Sequence, residues 1–301
     1  MEFLHWLENI RMPVLNEIML CITHLGDETA FLVIALILFW CVDKRRGYYI
    51  LSVGFLGTIT NQFMKLWFRI PRPWVLDSSL QPMEQALEGA SGFSFPSGHT
   101  QTAVGTFGGI AYTAKNKFIK VLSLLIAVLV PFSRMYVGVH TPMDVGVAAA
   151  IAVVLIFLVK PFVYGRDGRR FPVLIAVMTV LAVGYLCFVE FYQFPADIDP
   201  ERLASGVRNA YTMMGCLIGL LLVYIVDEKW LHFPVKGAWW AQIIKVVVGL
   251  LLVLAIKSGM KDVLNELFGE FVGRGVRYFL MVIMAGIVWP LSFRLFAKTR
   301  R

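Results

Sequence analysis

Charge is scarce in this chain: Asp, Glu, Lys and Arg make up 16% of 301 residues, against roughly a quarter in ordinary soluble domains. No cluster of Asp and Glu exists that could cage a divalent cation, so the sequence predicts neither metal nor cofactor. The four cysteines (Cys21, Cys41, Cys187, Cys216) have no metal or redox spacing, and Cys41 and Cys187 lie in or at the end of apolar runs. They read as packing residues and say nothing about redox compartment. No Asn-X-Ser/Thr sequon occurs, which leans towards a bacterial plasma membrane over an endoplasmic reticulum. The N-terminus lacks a basic n-region and carries Glu2 and Glu8, so no cleaved signal peptide is expected. Internal repeats are absent, as is any shift in composition that would cut off a soluble domain.

What the chain has instead is apolar residue in long runs. Hydrophobic residues make up 58%, mean hydropathy is +0.71, and runs such as Val145–Val159, Val173–Val189, Ile243–Ile256 and Tyr278–Leu291 show no polar face of helical period. A membrane span needs roughly 20 mostly apolar residues, and several runs reach that with their uncharged flanks. The sequence predicts nine spans, at about 26–42, 47–68, 98–114, 118–133, 142–163, 171–193, 206–226, 238–257 and 275–296. Before them, Leu4, Leu7, Ile10, Val14, Ile18 and Ile22 recur at helical spacing among Glu8, Arg11 and Glu17, the pattern of an amphipathic helix lying in the interface, kinked at Pro13. The fold class is therefore all-α, a polytopic helical bundle. Residues 1–25 read as the interfacial helix, 26–194 as a six-helix core and 195–301 as a three-helix extension.

A net charge of +8 could suggest nucleic acid, but the cations sit in every second loop: Lys44 to Arg46, Lys115 to Lys120, Arg166 to Arg170, Lys229 and Lys236, and Arg294 to Arg301. That is the positive-inside pattern, so no nucleic-acid partner is expected and basicity sets topology. Alternation from an outside start puts the C-terminus in the cytoplasm. It also gathers three polar clusters at outside ends of spans.

The first cluster runs from Lys65 to Arg72 and Pro73, almost two helical turns, with Pro71 and Pro73 releasing Arg72 from the helix. Alone it could be two cations reaching lipid headgroups. The second is Pro96-Ser97-Gly98-His99, in which Ser97 reads as an N-cap, Gly98 lets the backbone approach a ligand, and the helix start offers N–H groups to an anion. The third runs from Ser133-Arg134 to His140-Thr141-Pro142-Met143-Asp144, close to a capping box on Thr141 and Asp144. Asp144 can cap that helix and still face His140, fixing its tautomer. Together these clusters bring three cations, two histidines and a carboxylate to one membrane face, a set suited to phosphoryl transfer. The residues alone leave open which histidine attacks.

The pattern Lys-x6-Arg-Pro, Pro-Ser-Gly-His and Ser-Arg-x5-His-x3-Asp resembles that of the type 2 phosphatidic acid phosphatase superfamily. That superfamily includes lipid phosphate phosphatases, glucose 6-phosphatase and vanadium haloperoxidases. Lys65, Arg72, Pro73, Pro96, Ser97, Gly98, His99, Ser133, Arg134, His140 and Asp144 meet every fixed position, within about residues 47–163. The resemblance implies that His140 attacks phosphorus with Asp144 behind it. It implies that His99 protonates the leaving oxygen and then activates water. Lys65, Arg72, Ser97, Gly98 and Arg134 would hold the phosphoryl oxygens. The expected substrate is a lipid phosphate, such as an isoprenoid diphosphate, phosphatidate or phosphatidylglycerol phosphate, with membrane lipids around it.

Alternatives remain. Trp74-Val75-Leu76-Asp77 after Arg-Pro resembles the glucose 6-phosphatase branch and a soluble sugar phosphate. A lipid-to-lipid phosphotransferase would use the same residues. A transporter could use the later spans, where Lys245 and Glu190 are the intramembrane charges. A haloperoxidase conflicts with the hydropathy.

Overall fold

The computed structural model describes residues 1–165 and 170–297; Arg166 and Arg169 of the third basic loop, and Lys298, Arg300 and Arg301 at the C-terminus, lie outside them. Among the described residues every regular element is helical. In order, α1 is Glu2–Asn9, α2 Pro13–Thr23, α3 Glu28–Ile37, α4 Lys44–Phe68, α5 Pro73–Leu76, α6 Gly98–Ala103, α7 Gly109–Thr113 and α8 Lys117–Tyr136. The series continues with α9 Pro142–Tyr164, α10 Arg170–Phe191, α11 Pro200–Val226, α12 Trp239–Gly259, α13 Lys261–Phe268, α14 Glu270–Ile283, α15 Trp289–Leu291 and α16 Phe293–Ala297. The segment between α5 and α6 is irregular apart from two short 3-10 turns, as its Ser, Gly and Pro content suggests.

Among the described residues six helices are long and apolar enough to cross a membrane: Lys117–Tyr136, Pro142–Tyr164, Arg170–Phe191, Pro200–Leu231, Trp239–Gly259 and Glu270–Leu295. The pair Pro13–Gly26 and Glu28–Val42, bent by 57°, makes a seventh if it is one span. Large apolar side chains on α8 to α10 point outwards, among them Phe118, Val128, Val154 and Val180 at 62–73% exposure, as lipid-facing residues do. The chain is a multi-pass membrane protein. Fewer of the described helices reach that length and apolarity than the nine spans expected, for two physical reasons. Helix α4 carries Thr58, Thr60, Asn61, Gln62 and Lys65 in its second half, and the helical run from Gly98 to Thr113 is short and interrupted by a π-turn at Val104–Gly108. Both polar stretches belong to the segments that build the site.

The chain divides into two compact units. The first comprises Met1–Leu32, Ile50–Lys160 and Phe194–Gly206. Here the amphipathic N-terminus forms two helices, because Pro13 opens α2 at its first position instead of kinking one continuous helix. Leu4 and Leu7 are fully buried, with Met19 and Leu20, against Leu80, Tyr136, Val137 and Val139. The N-terminus is thus packed onto the segment between α5 and α6 and onto the end of α8 and the turn that follows it.

The second unit comprises Val33–Tyr49, Pro161–Gln193 and Val207–Arg301. Helix α11 meets α14 and the π-turn Met284–Val288 after it through small residues: a Cβ on Gly215 would lie 2.0 Å from the Gly275 carbonyl oxygen, and one on Gly286 2.3 Å from Val223. Lys245 is fully buried and donates to the carbonyls of Pro234 (3.0 Å) and Val235 (3.1 Å), while Glu190 accepts from the Tyr211 hydroxyl. Lys245 and Glu190, the two charges on which the transporter reading rested, therefore have structural partners.

Candidate active site

All eight residues expected at the site lie in the first unit. Helix α4 ends at Phe68, and Arg69 follows with φ +51°, turning the chain so that Arg72 points back inwards. Arg72 is 3% exposed and its donors are almost all engaged. Nε donates to Gly92 O (3.3 Å), Nη2 to Ser91 O (3.0 Å), and Nη1 to Val139 O (3.0 Å) and to His140 Nε2 (3.0 Å). Lys65 is buried and donates to the Phe93 carbonyl. The two cations of the first motif thus pin the carbonyls of 91–93, the strand of loop that leads into the second motif.

Ser97 caps α6 as its residue type suggests, accepting from the Thr100 N–H at 3.4 Å. Its own N–H donates to the Asp144 carbonyl (3.1 Å), tying the second motif to the third. A Cβ on Gly98 would meet nothing closer than Asn61 Oδ1 at 4.0 Å, so no protein contact demands glycine there and the backbone keeps an open flank.

The third motif follows the end of α8. Gly138 has φ +81°, and a Cβ there would lie 2.9 Å from Arg11 Nη2 and 3.2 Å from Pro82 Cα, so the turn to His140 requires glycine. Arg11 locks this turn by donating to Tyr136 O (3.1 and 2.9 Å) and Gln81 O (2.5 Å). Thr141 and Asp144 form the expected capping box, with Thr141 N–H on Asp144 Oδ2 at 2.8 Å and Asp144 N–H on Thr141 Oγ1 at 3.2 Å. The same Oδ2 lies 3.4 Å from His140 Nδ1, so Asp144 caps the helix and faces His140 at once, as its place in the sequence allows.

These contacts assign the His140 tautomer. An arginine has no acceptor, so Nε2 facing Arg72 must carry the lone pair and Nδ1, facing Asp144, the proton. Burial, and then the charges of Arg72, Arg134, Lys65 and His99, push this imidazole well below its ordinary pKa. Both the contacts and the surrounding charge favour the neutral imidazole, with its lone pair on Nε2.

Arg134 is 1% exposed and donates through Nη1 to Thr23 Oγ1 (2.8 Å), while its Nε and Nη2 are buried without partners among the described residues. Unmatched guanidinium donors in a buried site are expensive unless an anion or other acceptor completes them. His99 Nε2 meets Asp27 Oδ1 at 2.8 Å.

Four contributors were not foreseen. Ser94 donates to Asp144 Oδ2 at 2.6 Å; Thr23, Asp27 and Arg11 come from the N-terminal segment. Asp27 precedes Glu28 at a helix start, where acids are common, and nothing in its spacing marks it.

A family model described as the PAP2 superfamily matches residues 46–167, and one described as the PAP2 superfamily phosphatase transmembrane extension matches 211–301. A phosphatidylglycerophosphatase B from Bacillus subtilis is 34% identical over 166 residues, covering 51% of this chain and 77% of that protein. An undecaprenyl-diphosphatase from the same organism is 30% identical over 159 residues, covering 50% of this chain and 79% of that protein. A probable sphingosine-1-phosphate phosphatase from Dictyostelium discoideum is 28% identical over 226 residues, covering 69% and 52%. No solved structure matches the chain.

Proposed function

Because the chain belongs to the PAP2 superfamily of phosphatases, we propose that it hydrolyses a phosphate ester or diphosphate on a membrane lipid through a phosphohistidine at His140. The observation that carries this reading is His140 Nε2 facing Arg72 at 3.0 Å, in a site with a buried Arg134 whose Nε and Nη2 call for an anion. In the first step Nε2 attacks phosphorus while the ester oxygen leaves with a proton from His99. Asp144 stabilises the imidazolium as positive charge develops. Arg134, Arg72 and Lys65 neutralise the phosphoryl oxygens, with the Ser97 hydroxyl and the Ser97–Gly98 backbone. In the second step His99 takes a proton from water, which displaces phosphate from His140.

The lipid assignment draws on relatives whose names specify three different lipid phosphates, which share a phosphoryl group at a membrane surface. Charge neutralisation comes from three side-chain cations, so the reaction is expected to proceed without a divalent metal. Purified protein is therefore expected to release inorganic phosphate from one or more of phosphatidylglycerol phosphate, undecaprenyl diphosphate and phosphatidate in excess chelator. Vanadate, which mimics five-coordinate phosphorus, is expected to inhibit. Activity lost in chelator and restored by magnesium would overturn the metal-free step. Release from glucose 6-phosphate alone would overturn the lipid assignment, and transfer to a second lipid without free phosphate would make the protein a phosphotransferase.

The proposed site opens on the extracytoplasmic side, on the alternation of basic loops. Ser78 is exposed on the loop after α5 and, unlike Ser79, does not hold Asp77. With the native cysteines replaced, Ser78→Cys is expected to react with an impermeant thiol reagent on intact cells. Labelling only after permeabilisation would put the site in the cytoplasm.

A further inference from the structure

The N-terminal turn between α2 and α3 touches the reactive machinery twice. Thr23 accepts from Arg134, and Asp27 from His99. The turn is pressed close: a Cβ on Gly26 would lie 3.0 Å from the His99 carbonyl oxygen and 2.8 Å from Val130. Asp27 Oδ1 lies 2.8 Å from His99 Nε2, and Oδ2 lies 2.9 Å from His24 Nδ1. Burial alone would raise the Asp27 carboxyl, but the hydrogen bonds from His99 and His24 outweigh it and hold the acid below its ordinary range, hence ionised. The site therefore contains two histidine–carboxylate pairs, one at each histidine.

We infer that Asp27 is the positioning residue of the acid–base histidine, holding His99 by Nε2–H so that Nδ1 is the nitrogen that exchanges protons with substrate and water. This rests on the phosphatase reading above and deepens it. In the first step the Nδ1 proton of the His99 cation passes to the leaving oxygen as its bond to phosphorus breaks, and the His140 Nε2–phosphorus bond forms. The Nε2 proton stays on Asp27's hydrogen bond throughout. His99 is then neutral with a lone pair on Nδ1, the form needed to take a proton from water. As water's oxygen bonds to phosphorus, the electron pair of the phosphorus–nitrogen bond returns to His140.

Burial, with the charges of Arg134 and Arg72, pushes His99 down to about 4, while the hydrogen bond and charge of Asp27 favour its cation, and a bound phosphoryl anion adds to the side of Asp27. The charged or titratable groups facing His99 are Asp27 from the N-terminal turn, Arg134 from α8, Arg72 after α4 and His140 before α9; His24 acts through Asp27. With two arginines against it, Asp27 is the single facing group that stabilises the acid. Activity that needs protonated His99 falls as pH rises through its pKa, and loss of an opposite charge at this range lowers that pKa by about one unit or more. Asp27→Asn keeps an acceptor for Nε2–H but removes the charge.

The test is the pH profile of kcat/KM on a lipid phosphate for wild type, Asp27→Asn and His24→Ala. Asp27→Asn is expected to move the alkaline limb to lower pH by about one unit or more. It should also lower kcat by about 10- to 100-fold, with a smaller deficit in the first turnover of an aryl phosphate, whose leaving group gains little from protonation. His24 is largely exposed, and removing it frees Asp27 for His99, so its alkaline limb should move slightly upwards. An Asp27→Asn profile with the wild-type limb would overturn the inference, whatever its rate. Should Asp27→Asn not fold, an unmoved limb in His24→Ala would overturn it equally. Wild-type protein that releases no phosphate from any lipid would instead defeat the phosphatase reading itself.

Discussion

His140→Ala is expected to abolish turnover, by about 10⁴-fold or more in kcat, and to form no covalent intermediate with any substrate. His99→Ala is expected to fail differently. With p-nitrophenyl phosphate, the leaving group departs without much help from an acid, because it is already stable as an anion. The variant should therefore release nitrophenol once per site and stop. Without a base, water attacks the phosphohistidine slowly, and an acid-labile, base-stable phosphoryl label should accumulate. Rapid-quench labelling with radiolabelled aryl phosphate separates the two. The geometry gives this expectation its direction: His140 presents a lone pair towards a cation, while His99 faces a carboxylate suited to holding a proton. A burst from His140→Ala and none from His99→Ala would reverse the roles.

Arg134→Ala is expected to cost about a thousandfold in kcat/KM, towards the upper end for loss of one preorganised donor group. The reason is its isolation: it is buried, it spends one nitrogen on Thr23, and the remaining two have no partner among the described residues. Arg134→Lys should recover little, since an ammonium is a point charge that cannot replace two donors fixed in a plane. Thr23→Val removes only the acceptor and should cost about tenfold or less, through orientation of the guanidinium. Steady-state kinetics with vanadate inhibition constants read both effects. If Arg134→Ala binds vanadate as tightly as wild type, the residue is structural and does not hold the phosphoryl group.

The motif residues were legible because their chemistry is local to short spacings. A serine before a helix caps it, a threonine and aspartate three apart box it, and a histidine just ahead of that box falls beside the carboxylate. Loop alternation placed the three clusters on one membrane face, resemblance to a known family implied that they form one site, and the structure brings them together. The span count was less legible, since α4 and the run from Gly98 to Thr113 trade apolar residues for the polar ones that face the site. Ser94, Thr23 and Asp27 could not be read at all. Each acts across a distance in sequence that no helical or strand period encodes, and each has an ordinary local role to hide in. Lys245 shows the converse: a buried cation looks functional in sequence, yet two backbone carbonyls satisfy it.

The clamp of Arg11 on the turn before His140, and the contacts of Thr23 and Asp27 with Arg134 and His99, sit at opposite ends of α2. An α-helix rotates about 100° per residue, so one inserted or deleted residue within α2 would swing one end away while the other stayed docked. The separation between Arg11 and Asp27 is therefore held as tightly as the intervals inside the motifs, though it lies upstream of residue 46, where the family match begins. Single-residue insertions stepped along residues 1–32 should trace this: tolerated before Leu4, and inactivating between Pro13 and Thr23 while the protein still inserts and folds.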